Sequence, residues 1–407
     1  MKRTDCLPLT DLDFLRDIES ANISQLEVIW PCEVRTYWKV ELRGLVTAVQ
    51  FMLSYLNGII IIIGLILNTI AFLVLNGSHP NDNFSIYLRA LAVSDNGALI
   101  FNYGVGLLRA HIPQVGRWYL DYWWLCDMHK VTVDLFFFTS AWLIVTLTWE
   151  RLLVVRCPFG GMFHSTTGSA CFRVVFLVVV LLLFTLSKIK FSGFEQDSVM
   201  GYQPCEDTEE IKETAIYLYT AVSIWLPLTL VVCGNMNLLF QIRKSVYNRS
   251  KLLAGGWDSE LTSDIHKMTR LLLLVSATYV IFLLPIGVVE MVEMNWEIEK
   301  SVKPSAGGPD KQLYIAWLKR KLLLKWIRGI CFSFYQWNFA CNFFLYCLSG
   351  DKFRTAVKEW LMGHCFIPSR RVVIKRHSPS THSSKLQLTV NVVSSRVTNM
   401  SGETSFP

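Results

Sequence analysis

The chain has 407 residues, of which 52% are hydrophobic and only 17% charged, whereas soluble domains run about 45–50% apolar and about 25% charged. Its mean hydropathy is +0.36, and the polar residues crowd into the two ends and the connectors instead of interleaving with the apolar ones. A net charge of +7 would suit nucleic acid on a soluble domain; here the basic residues flank hydrophobic runs, which argues against nucleic acid and for membrane orientation and contact with anionic lipid.

From the start, Lys2 and Arg3 are followed by no apolar h-region, so no cleaved signal peptide is expected and the first span serves as the insertion signal. About 20 apolar residues cross the hydrocarbon as a helix, and repeated spans of that kind imply a helical bundle, since lipid tolerates no open backbone. Seven spans are expected, at 46–75, 84–110, 125–155, 170–190, 213–242, 267–294 and 322–348. The first reads NGIIIIIGLILNTIAFLVLN over Asn57–Asn76, and the fourth is as clear over Cys171–Ser187. The second and third carry polar residues, and the seventh is rich in aromatics and Asn. The fold class is therefore all-α. It comprises an extracellular segment 1–45, a transmembrane domain 46–348, a membrane-surface helix 349–366 and a disordered cytoplasmic tail 367–407, polar and without periodicity.

Orientation follows from the connectors. Arg151, Arg156 and Arg173 follow span three without an acid, and the connector after span five and the tail are also basic. All lie on one side of seven spans, which the positive-inside rule makes cytoplasmic. The N-terminus is then outside, where Asn22-Ile-Ser24 is a glycosylation acceptor. The long outer connector Asn295–Arg320 has a loop-like first half, and Lys311–Lys325 is expected to lead as a helix into span seven. Four of the eleven cysteines are outside: Cys6, Cys32, Cys126 and Cys205. An even number on the oxidising side is compatible with two disulfides. A Cys126–Cys205 bridge would pin the second outside loop over the bundle; Cys6 and Cys32 either pair or stay free. The cysteines within the spans read as buried small hydrophobes, and Cys365, just past a short amphipathic stretch, is a palmitoylation candidate.

The spans also hold charges. Asp95 sits mid-span, where a charge costs about 2.5–3.5 kcal/mol on insertion scales and marks a functional candidate. The outer halves hold Arg109, Lys130, Asp134, Glu290, Glu293 and Arg328, a wide polar mouth for a charged ligand. Lys130 and Asp134 are four apart and can pair; Glu290 and Arg328 can pair between spans six and seven. Outer aromatics such as Trp118, Trp124, Tyr314 and Trp317 read as an interfacial belt or as ligand contacts. No HExxH, GxSxG, GxxxxGK[ST] or CxxC occurs, so the sequence offers no enzyme site.

A set of motifs in fixed order resembles the rhodopsin-like G-protein-coupled receptor family over about residues 46–366. Gly64-Leu-Ile-Leu-Asn68 is similar to the family's GxxxN in span one, and Leu91-Ala-Val-Ser-Asp95 to LAxxD in span two. Span three starts at Cys126 and ends Glu150-Arg151-Leu152, where the family prefers D/E-R-Y, with Pro158-Phe159 at the family's spacing. Pro227 marks span five, Phe282-Leu-Leu-Pro285 stands where span six usually has CWxP, and Asn342-Phe-Phe-Leu-Tyr346 where span seven has NPxxY. The phrase Asn342–Gly350 resembles invertebrate neuropeptide receptors of the FMRFamide and myosuppressin groups. Leu283 in place of Trp removes a switch from the pocket floor, and Phe343 in place of Pro weakens the expected bend of span seven.

The resemblance implies a plasma-membrane receptor that binds an extracellular ligand and activates a heterotrimeric G protein through Glu150, Arg151, Pro158, Phe159 and Tyr346. It implies arrestin engagement by the Ser/Thr-containing tail, and an allosteric sodium ion at Asp95 with Asn68, Ser140, Asn338 and Asn342, the alternative being a water-filled polar network. Amine receptors resemble one another in an Asp where this chain has Val133; Asp134, one position round the helix, is expected to point elsewhere. Gln336 stands where opsins carry their retinal Lys. With the acidic second outside loop (Glu195, Asp197, Glu206, Asp207, Glu209, Glu210), the favoured ligand is a neuropeptide with basic groups. A small non-peptide or lipid ligand is the alternative within the fold. A transporter or channel, the alternative of another class, would show internal repeats and paired helix breaks.

Overall fold

The computed structural model describes residues 31–78, 83–156, 167–187, 195–197, 201–203, 217–252, 259–299, 308–349 and 351–365. A first compact unit, Met1–Met362, holds the bundle; of the second, Gly363–Pro407, the described residues are the closing turn of a helix. The described chain is helical apart from a two-stranded antiparallel hairpin, β1 (Glu195–Asp197) and β2 (Gly201–Gln203).

Span one is the end of a longer helical rod, α1 (Cys32–Thr36), α2 (Arg43–Phe51) and α3 (Asn57–Ser78), joined by π-helical turns at Tyr37–Glu41 and Met52–Leu56. Helix thus begins well before residue 46. Span two is α4 (Asn83–Ala98), a π turn Leu99–Gly104 and α5 (Val105–His111). It ends at Ile112, whose φ of −116° and ψ of 101° are extended, as expected of a residue before proline. Pro113 then opens α6 (Pro113–Asp121), where its missing N–H costs nothing. Spans three and four are α7 (Trp123–Arg156) and α8 (Thr167–Leu186). Span five joins a π turn Ala221–Trp225 to α9 (Leu226–Leu252), and α10 (Ser259–Glu299) carries span six with Pro285 inside it. Span seven is α11 (Lys311–Ala340) and α12 (Asn342–Ser349), followed by α13 (Asp351–Cys365).

By length and hydropathy alone, five of the described helices can cross a membrane. Spans two and seven fall short because of their polar residues, yet they turn many of them inward: Asp95, Gln336, Asn338 and Asn342 are all buried. Span four is the reverse, with Phe172, Phe176 and Leu183 more than half exposed, facing what would be lipid. The core runs through Leu91, Leu143, Leu147, Tyr279 and Phe339. Cys171 and Cys233 are exposed and Cys331, Cys341 and Cys347 partly exposed, which corrects their expected burial: on a helix in lipid an apolar thiol gains nothing by facing inward. Cys32 is in a disulfide, so the reading that leaves it free is set aside.

Pro227 brings no N–H to the carbonyls one turn before it and crowds them. The backbone there opens into the π turn, and Trp142 Nε1 on span three donates to the Val222 carbonyl at 3.1 Å. Trp142→Phe keeps an aromatic ring, though a smaller one, and loses this bond. It should cost about 1 kcal/mol, read as a melting point a few degrees lower in detergent; an unchanged value would show the bond to be dispensable.

Beyond the bundle, Val34, Trp38, Leu42, Val46 and Val49 on the first rod pack against Tyr314, Ile315, Leu318, Leu322 and Trp326 on α11 as a separate hydrophobic cluster. Both sets recur at three- and four-residue spacing, the single stripe a pair of helices buries. The 30 residues of α11 reach about 45 Å at 1.5 Å each, beyond a hydrocarbon core of about 30 Å, so its first turns stand outside beside the first rod. Tyr314 and Trp317 are thereby corrected: they stack on each other at 6.0 Å between centroids and belong to this helix pair rather than to a lipid belt. Lys319 Nζ lies 4.9 Å from the Tyr37 ring centroid. Burial, then the nearby Glu41, raises the Tyr37 hydroxyl above its ordinary range, so the ring under the ammonium stays neutral.

Candidate functional site

A cavity of about 220 Å³ opens among spans two, three, five, six and seven. The π turns of spans two and five supply part of its wall: Asn102 from Leu99–Gly104, and Ser223 and Ile224 from Ala221–Trp225. Such turns re-aim side chains and recur at functional sites. Five of the other lining residues are aromatic, Phe137, Phe138, Tyr219, Phe332 and Tyr335, with the Phe137 and Tyr335 centroids 5.0 Å apart. Leu283, fully buried, lies on the wall where a Trp was absent by sequence.

Two carboxylates reach this wall. Val133 and Asp134 both line it, which corrects the expectation that Asp134 points elsewhere: adjacent helix positions are 100° apart, and this cavity is wide enough to be met by both. Glu290 lines it from span six, and its Oε1 lies 2.8 Å from Arg328 Nη2 of span seven. The Arg328 side chain is 46% exposed and that of Glu290 23%, so the pair marks the cavity's outer rim. Lys130 is half-buried one turn above Asp134 and outside the lining. Arg109 and Glu293 belong to α5 and α10, with side chains outside the described residues. The volume is below the roughly 300–1,000 Å³ of drug-sized sites, room for a fragment of a large ligand or for a compact one.

Beneath the cavity lies a buried polar network. Ser140 Oγ donates to Asp95 Oδ1 at 2.6 Å, and Asn342 Nδ2 donates to Asp95 Oδ2 at 2.6 Å. Asn68 Nδ2 instead donates to the Phe339 carbonyl at 2.8 Å, tying span one to span seven. Asn338, one turn before Asn342, keeps a buried amide nitrogen with no hydrogen-bond partner. Ser333 donates to the Asn57 side chain, and Gln336 Nε2 to the Asn57 carbonyl at 3.2 Å. Each Asp95 oxygen accepts one of these bonds and has lone-pair capacity for another contact. A carboxylate, a hydroxyl and carboxamides are residue types that can offer oxygens to a hard cation, although Asn342 here turns its nitrogen to Asp95 and Asn68 turns its nitrogen to the Phe339 carbonyl.

At the cytoplasmic end, Glu150 Oε1 pairs with Arg173 Nη2 of span four at 3.0 Å. The Arg151 guanidinium carbon sits 4.3 Å from the Phe84 ring centroid of span two. No motif marks Phe84, and Arg173 is an orienting charge by sequence; a cation within an apolar span is the signal that it has a partner. Tyr346 is buried, its hydroxyl has no hydrogen-bond partner, and its ring meets Phe353 of α13 edge-on at 5.6 Å. Span seven breaks at Cys341, between α11 and α12, so a bend is present with Phe343 in place of Pro. Asn22, Pro158, Phe159 and Cys205 lie outside the described residues, as do the side chains of Cys126 and Cys365.

Compared with known proteins, residues 67–307 match the family described as 7 transmembrane receptor (rhodopsin family), which is more than half of the chain. No curated protein matches it. The match begins one residue before Asn68 and ends ahead of span seven. It takes in Asp95, Asp134, Arg151 and Glu290.

Proposed function

The chain belongs to the rhodopsin family of seven-transmembrane receptors, and from that premise we propose that its ligand is a peptide carrying a basic group, sensed at the plasma membrane as in invertebrate neuropeptide receptors. As a member of that family it is a multi-pass membrane receptor, not an enzyme, and it joins an extracellular ligand to heterotrimeric G proteins. A ligand acts only through its differential affinity for two packings of the bundle. In the active packing spans three and six part at their inner ends. Arg151 then leaves Phe84 for the G protein, which also meets Phe159, and arrestin follows through the tail.

The observation that carries the peptide reading is the pair of acids, Asp134 and Glu290, on one aromatic cavity whose charged rim continues outward through Arg328. The cavity seats one cationic or aromatic end and leaves the rest of a longer ligand outside. A compact aromatic amine is the second reading, favoured by Asp134 on the wall and by the small volume. The two carboxylates oppose a lipid.

The test is calcium and cyclic AMP release in cells expressing the full chain, challenged with amidated neuropeptides and, separately, with biogenic amines. A saturable peptide response that falls by about a hundredfold or more in Arg151→Ala at matched surface expression is the expected result; that factor corresponds to about 2.7 kcal/mol. A response to amines alone would replace the peptide reading with the second one.

A further inference from the structure

Two adjacent charges at the inner end of span three go separate ways. Glu150 and Arg151 are neighbours on α7. Yet the Glu150 carboxylate accepts from Arg173 of span four at 3.0 Å, while the Arg151 guanidinium carbon lies 4.3 Å from the Phe84 ring centroid of span two. Among the described residues, Arg173 is the cation that Glu150 pairs with. Span two meets both groups on one face. Phe84 and Tyr87 are three apart on α4, neighbours across one turn, and both are buried. The Tyr87 hydroxyl lies beside Glu150 and Arg173, outside hydrogen-bond geometry. The carboxylate thus stands at Tyr87 and the guanidinium at Phe84, an interval that Glu and Arg side chains can cross.

Arg173 is the one charge in α8, which reads TGSACFRVVFLVVVLLLFTL. A cation in so apolar a span is expensive and calls for a reason. Its effect on Glu150 supplies one. The Glu150 side chain is only 17% exposed, and a carboxylate so placed is costly without a cation. The cation that the backbone already brings is the next residue, Arg151. A guanidinium paired with its own neighbour must break that pair before it can meet another protein. Arg173, 40% exposed at its side chain, supplies the counter-charge from span four instead.

We infer that Arg173 is a positioning residue for G-protein engagement: it holds Glu150 away from Arg151, so that Arg151 does not have to break an ion pair with Glu150 to reach the transducer. The inference rests on the reading that Arg151 meets the G protein, and it is independent of what the ligand is.

The test uses the full chain in lipid nanodiscs without ligand, which keeps the peptide reading apart from the outcome. Nucleotide-free heterotrimers of each G-protein class are titrated, and the tightest binder on wild type serves as the probe. Arg173→Gln should weaken its binding by about tenfold, the size of one charge-assisted contact. Arg173→Lys, which keeps the charge, should recover part of the loss. In a Glu150→Gln background, Arg173→Gln should change binding by less than about threefold, because no acid remains for Arg151 to return to. Melting points are measured alongside. A loss of equal size in both backgrounds overturns the inference and makes the pair a clip between spans three and four. Unchanged binding in Arg173→Gln also overturns it, and tighter binding would make the pair a latch of the resting receptor. A probe that binds wild type and Arg151→Ala alike overturns the Arg151 reading itself, and absence of binding by every heterotrimer overturns both.

Discussion

Asp95→Ala is expected to abolish the G-protein response and to lower the melting point of the purified receptor by several degrees. The carboxylate is fully buried and joins three helices: its oxygens accept from Ser140 on span three and Asn342 on span seven, both at 2.6 Å, while Asp95 itself is on span two. Alanine leaves a hydroxyl and an amide in the core without their acceptor, about 1–3 kcal/mol each. Asp95→Asn is a sharper probe. Its one oxygen can still accept from Ser140, but its NH₂ then faces the NH₂ of Asn342, donor against donor. The exchange Asp95→Asn with Asn342→Asp restores the complement and should recover most of the lost stability. Failure of the exchange to recover any would mean that the network does not hold the spans. The same variants test sodium. If Asp95, Ser140, Asn68, Asn338 and Asn342 hold the ion, agonist affinity on wild type falls as sodium rises, and Asp95→Asn removes that dependence; unchanged dependence in the variant would assign the site to water.

The second large effect is expected at Gly97. A Cβ built there would lie 2.2 Å from Phe136 Cδ1 and 2.4 Å from Phe136 Cγ, far inside van der Waals contact. The ring has little room to retreat, because it stacks on Phe101 with centroids 5.5 Å apart and an interplanar angle of 4°. The helices cannot easily part either, since Ser94 Oγ donates to the Phe136 carbonyl at 2.8 Å. Gly97→Ala should cost about 1–3 kcal/mol, as overpacking does, and Gly97→Leu should leave little receptor at the surface. Phe136→Ala placed in the Gly97→Ala background should recover expression. Wild-type expression of Gly97→Leu would show that spans two and three are not held at this distance.

Much of the polar network was legible in the sequence. A carboxylate amid apolar residues is so costly that Asp95 calls for partners, and of the positions that the family resemblance implied, Ser140 and Asn342 bond to it. Asn68 joined the same region through the backbone of Phe339, a partner no side-chain motif can name. The pair Glu290–Arg328 was one of two charge pairs the sequence permitted across or along the spans, and it forms. The cavity was less legible. Asp134 belongs to the polar mouth by sequence, but whether it shares a cavity with Val133 is set by one position of helix phase and by a cavity width that five spans fix at once. Trp142 carries no signal in the sequence, since its bond goes to the Val222 carbonyl of a π turn that only the packed helix displays.

The sequence by itself determined the helical membrane class, the clearest spans, the family motifs and the buried Asp95. These follow from hydropathy, from the thickness of a bilayer and from residue order, all quantities of one dimension. Only the tertiary structure decided that Glu150 pairs with Arg173, that Arg151 rests on Phe84, that Asp134 reaches the cavity and that the first rod and α11 bury a second cluster outside the bundle. Each of these depends on the rotation and height of one helix against another, contacts between residues far apart in the chain, which no local spacing specifies.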